Sequence, residues 1–194
     1  MTETLTWILM VLLGLVGGNA ILAWLHFAET GYSPRYDLIS AYAHSRFPRI
    51  YALHNFTFVI AGAGAAIGTH RFLPNQPFLS SLCLVYSLGV AILAIFPMDM
   101  SAMLKTFTGV MHVVGVVMVF AAATIYSAVL SHFGSVKVGS GIKYSFDFIT
   151  FYMVIGVAIL LVAQFRKFRT IGLIERIAAA GLSLWLIGIL IAAR

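Results

Sequence analysis

"TWILMVLLGLVGGNAILAWLHF", residues 6–27, decides the fold class. It holds no Asp, Glu, Lys or Arg, and its only titratable side chain, His26, stands next to its end. A helix needs about 20 largely apolar residues to cross the hydrocarbon core of a bilayer, so this stretch is long enough to span. Only Glu3 and no basic residue precedes it, and it lacks a small-x-small cleavage pattern. We therefore read it as a retained helix and not as a secretory leader.

Five further runs of the same kind follow, at 51–70, 77–97, 108–131, 147–165 and 177–193. The chain is 61% apolar and only 9% charged, where a soluble domain carries about 25% charged residues. A water-facing surface cannot be built from that composition, which excludes a soluble enzyme or regulator. A membrane β-barrel is excluded as well, because it needs alternating segments of about ten residues. The expectation is an all-α integral membrane protein, a compact bundle of six transmembrane helices forming one domain over 1–194.

The net charge of +6 does not indicate a nucleic-acid surface, because the basic residues are divided among the breaks between spans. Arg35, Arg46, Arg49, Lys105, Arg166, Lys167, Arg169 and Arg176 follow spans one, three and five, whereas Arg71, Lys137, Lys143 and Arg194 fall on the other side. Basic residues favour the cytoplasm, so both termini are expected outside. The run "FRKFR" at 165–169 puts Arg166, Lys167 and Arg169 where they could also attract anionic lipid. The single Cys83 rules out an intrachain disulfide.

Gly14 and Gly18, and likewise Gly64 and Gly68, are four residues apart, a spacing that lets helix backbones approach closely in lipid. "AGAGAAIG" at 61–68 lies within a span with no strand before it, so it reads as packing and not as a nucleotide loop.

The polar residues gather at one set of borders. His26 ends span one, His54 opens span two, Asp99 follows span three, His112 opens span four, and Arg176 enters span six. The long first break adds Asp37, Ser40, Tyr42 and His44 on the same side. Ionisable groups at membrane depth are costly unless paired or hydrated. The set therefore reads either as a structural polar lock or as a ligand site. Pro97 is expected to end span three, leaving Asp99 ionised beside Lys105, Arg176 or the arginines of the first break, with His112 donating a ring N–H to it. His70 and His132 read as interfacial, Asp147 as a helix N-terminal carboxylate, and Trp7, Trp24 and Trp185 as border or packing residues.

Three segments carry a resemblance: "LISAYAHS" (38–45), "IFPMD" (95–99) followed by "GVMH" (109–112), and "GLIERIAAAGLSLW" (172–185). Together they resemble the domain-of-unknown-function 998 family of bacterial and archaeal multi-span membrane proteins. The resemblance implies a bundle of about six helices in a prokaryotic cell membrane. It also implies motif polar residues on one side: Ser40, Tyr42, Asp99, His112, Glu175 and Arg176. It implies no reaction.

Three chemistries fit these residues. The expectation carried forward is a non-enzymatic membrane subunit, or a bundle binding lipid or a small ligand at one membrane face. A metal-dependent lipid hydrolase would bind Zn²⁺ through His54, Asp99 and His112, with His44 or His26 available as a further ligand. Ceramidase-like hydrolases carry a paired His-x-x-x-His that this chain lacks. Bis-histidine haem ligation by His54 and His112 is the third.

Overall fold

The computed structural model describes residues 2–99, 106–133, 140–166 and 168–193. Lys105, Lys137, Lys167 and Arg194 lie outside the described residues. The chain order is α1 (Thr2–Leu12), a π-helical turn (Leu13–Gly18), α2 (Asn19–Phe27), a 3-10 helix (Ile39–His44), α3 (Pro48–Phe72), α4 (Pro77–Ile95), α5 (Phe107–Phe133), α6 (Ser140–Phe165) and α7 (Ile171–Ala192). Among the described residues, six helical stretches are long and apolar enough to cross a membrane: Thr4–Phe27, Pro48–Phe72, Pro77–Ile95, Phe107–His132, Gly141–Gln164 and Ile171–Ala192. The protein is an all-α membrane bundle.

Prolines mark the helix starts. Pro48 and Pro77 stand at the first positions of α3 and α4, where a missing N–H costs nothing and the fixed φ suits the helix. Pro97 lies just past the end of α4 at Ile95. The last two helices start about six residues before their apolar runs do. Lys143, Ser145 and Asp147 are helical in α6, and Glu175 and Arg176 are helical in α7. Polar side chains lower the hydropathy of a first turn without breaking it. Glu175 and Arg176 thus sit on the second turn of α7, not before it.

Helices α3 to α7 pack in chain order, each on the next, and α7 returns to touch α1 and the π-helical turn. The first span lies along α3. A Cβ added at Gly64 would stand 2.6 Å from the Met10 Cβ and 2.9 Å from the Trp7 carbonyl oxygen. Only hydrogen fits there, so the small-residue spacing on both helices is a backbone approach.

At the end of the bundle where α3 and α5 finish, the interior is filled. Trp185, Tyr126, Tyr86 and Phe146 are fully buried. The Tyr86 and Trp185 ring centroids are 4.8 Å apart, and Tyr126 meets Trp185 edge-on at 5.5 Å. The Thr69 and Tyr126 hydroxyls share a hydrogen bond of 3.0 Å.

A polar-roofed cavity as the candidate functional site

At the opposite end, where α2 and α4 finish, the same helices line a half-open cavity of about 430 Å³. Pockets for small molecules measure about 300–1,000 Å³. Its walls are apolar and come from five helices: Leu22, Phe58, Val90 and Leu93, Val116 and Phe120, and Ala179. Its roof is polar: His26, Ser40, His54, His112, Glu175 and Arg176.

The roof is built by tying residues 28–47 down onto α7. Arg176 is the main clasp. Its Nε donates to His26 Nε2 at 3.0 Å, Nη1 to the carbonyls of Asp37 at 2.8 Å and Gly172 at 2.9 Å, and Nη2 to the Tyr42 hydroxyl at 3.1 Å. A planar fork suits four acceptors in different directions, which an ammonium does not. The guanidinium also stands 5.6 Å from the Tyr42 ring centroid. The Ile39 N–H donates to the Glu175 carboxylate, and the Leu173 N–H to the Arg35 carbonyl at 3.1 Å. Gly172 permits this docking, because a Cβ there would collide with the Asp37 backbone. Burial is the largest influence on the Tyr42 phenol and raises its pKa, against the pull of Arg176 beside it, so the phenol keeps its proton at neutral pH.

A second set of ties joins the 3-10 helix to the end of α4. Ser40 Oγ lies 2.8 Å from Met98 Sδ, and His44 Nε2 donates to the Met98 carbonyl at 2.8 Å.

His54 and His112 are held alike. The Nδ1 of His54 is 2.9 Å from the Gly18 carbonyl oxygen, at the end of the π-helical turn. The Nδ1 of His112 is 2.9 Å from the Phe96 carbonyl oxygen. A carbonyl only accepts, so Nδ1 carries the proton in both rings. Nε2 of each has no hydrogen-bond partner among the described residues. Asn19, also lining the cavity, donates to the Leu15 carbonyl at 2.7 Å and to Ser183 Oγ at 3.3 Å.

Of the residues singled out in the sequence, Ser40, His54, His112, Glu175 and Arg176 line the cavity, and so does His26. Tyr42 is fully buried behind Arg176, and His44 is exposed. Asp99 is not among the lining residues. Its carboxylate accepts from the Thr106 N–H at 3.0 Å and from Thr106 Oγ1 at 2.6 Å, fixing the start of α5. The ring N–H of His112 goes to Phe96 and not to Asp99, because the Phe96 carbonyl is left open by the end of α4. Among the described residues, no three His, Cys, Asp or Glu side chains converge as metal ligands. Arg166 and Arg169 are exposed at the same end, and Arg169 stands 5.6 Å from the Tyr36 ring centroid, with Arg35 at 5.5 Å. Sequence reasoning missed Tyr51, Asn55 and Ser183 as lining residues.

Residues 5–192 match the model of a family described as "Protein of unknown function (DUF998)". No curated protein and no solved structure matches the chain.

Proposed function

The chain belongs to the DUF998 family, and from that premise we propose that it is a non-enzymatic bundle that binds an amphipathic small molecule of the bilayer. The tail lies along the apolar walls and the head sits beneath the polar roof. The observation that carries this reading is the cavity itself, about 430 Å³ with apolar walls and a roof of His, Ser, Glu and Arg side chains. A tail gains little by leaving lipid for an equally apolar chamber, so the roof supplies most of the selectivity. Mass spectrometry of lipids extracted from the purified protein tests the reading. A co-purifying amphiphile is expected with wild type, lost in Ala179→Phe, which fills the cavity, and retained in Leu161→Phe, on an exposed face of α6. Equal recovery from all three proteins overturns it.

We place the roof at the cytoplasmic face, following the basic residues, with Arg166 and Arg169 toward anionic lipid there. Asn75→Cys in a Cys83→Ser background is then expected to react with an impermeant thiol reagent on intact cells. Labelling only after permeabilisation reverses the orientation.

A bound Zn²⁺ or a bis-histidine haem is the second reading. It is favoured by the way His54 and His112 each commit Nδ1 to a carbonyl, as metal-ligating histidines do. Metal analysis and a visible spectrum of protein from native membranes decide it.

A further inference from the structure

We infer that the head group taken by this site is neutral and rich in hydrogen-bond donors, a hydroxylated head of the glycerol type, and not an anionic one. This rests on the binding reading above and specifies its ligand. Arg176, the roof's strongest donor, directs four of its five N–H groups to the protein. Arg176 directs Nε–H to His26, Nη1 to the Asp37 and Gly172 carbonyls, and Nη2 to Tyr42. Ser40 is committed to Met98 Sδ, and the Asn19 amide to Leu15 and Ser183.

The His26 ring, which accepts from Arg176 at Nε2, keeps its N–H at Nδ1, whereas His54 and His112 are left as acceptors. With Nδ1–H held by Gly18 in one ring and Phe96 in the other, a neutral imidazole presents a lone pair at Nε2. Both rings line the cavity. The Glu175 carboxylate lines it too and accepts the Ile39 N–H. A phosphate or carboxylate would set its own lone pairs against those of His54 and His112. A hydroxyl donates to them, and a head with two or more hydroxyls can serve both.

Ligand retention by protein in phosphatidylcholine nanodiscs, whose head group has no donor, tests this by native mass spectrometry. The probes are 1-oleoylglycerol, its di-O-methyl ether, oleate and oleoyl lysophosphatidate. Oleoylglycerol is expected to be retained at least about tenfold better than the ether, the worth of one or two net hydrogen bonds, and better than either anion. His54→Asn with His112→Asn is expected to erase that preference. The Asn amide overlays Nδ1 and keeps the carbonyl bond, but has nothing in place of Nε2. Should the double variant fail to fold, the comparison of oleoylglycerol with its ether in wild type stands alone. Equal retention of the ether, or stronger retention of an anion, overturns the donor-rich head while leaving the binding reading intact. Retention of none of the four overturns both.

Discussion

At one end of the bundle Trp185, Tyr86, Tyr126 and Phe146 fill the space between α3, α4, α5, α6 and α7. At the other end those helices stand around a cavity under a polar roof. The sequence resources spent on the two ends differ in kind. The filled end uses large buried rings and glycines, with Tyr86 also reaching the cavity lining. The cavity end uses His26, His54, His112, Glu175 and Arg176, and a tethered segment, Ile39–His44, laid across the top. In lipid, dispersion packing and polar contacts hold helices together, because burial from hydrocarbon brings little gain. The filled end is therefore held mainly by packing, and the other end is held by the polar contacts of its roof and can leave volume unfilled for binding.

That contrast is open to breakage by substitution. Trp185→Ala strikes the filled end hardest and is expected to cost about 3–5 kcal/mol, the cost of truncating a fully buried large ring, read as thermal unfolding in detergent. Gly64→Ala adds one methyl where the Met10 Cβ would stand 2.6 Å away, and is expected to cost about 1–3 kcal/mol by overpacking. Tyr126→Phe removes the 3.0 Å bond to Thr69 and should cost about 1 kcal/mol. Ala179→Phe adds far more volume than Gly64→Ala, but into the cavity wall, and is expected to cost well under the overpacking range of about 1–3 kcal/mol. If it destabilises as much as Gly64→Ala, the two ends are equally packed and the comparison fails. At the rim, the Arg46–Glu29 pair is 2.6 Å long with side chains 56% and 90% exposed. Arg46→Gln is expected to change stability by about 0–1 kcal/mol, which would confine the closure of the roof to Arg176 and its partners.

The spans were legible in the sequence because about 20 apolar residues in a row have one physical meaning. The spacing of Gly14 with Gly18 and of Gly64 with Gly68 likewise announced close backbone approach, and the structure supplies the partners, the first span and α3. The sharing of one end by His26, His54, His112 and Arg176 followed from topology alone. Which way each helix turns was not legible. In water, a polar face opposite an apolar one reveals the buried side. In lipid both sides are apolar, so nothing in α4, α5 or α7 marks Val90, Val116 or Ala179 as wall residues. Tyr51, Asn55 and Ser183 are polar residues within apolar runs, a signal that a reading centred on ionisable groups at the borders passed over. Asp99 shows another limit. Its sequence position beside His112 suggested a pair, but backbone groups left open by the end of α4 and the start of α5 took both side chains. Which backbone carbonyl a ring will meet is invisible in a residue string, and here Phe96, just past α4, and Gly18, at the end of the π-helical turn within the first span, orient the two cavity histidines.

The central claim is that the cavity is a binding chamber with its polar end at His54 and His112. An experimental density map of the protein in lipid, prepared without added ligand, tests it most directly. The account predicts elongated density along Leu22, Phe58, Val116 and Ala179, ending within hydrogen-bond distance of Nε2 of His54 or His112. Side chains closing the volume, or density at the roof alone with nothing along the apolar walls, would contradict it.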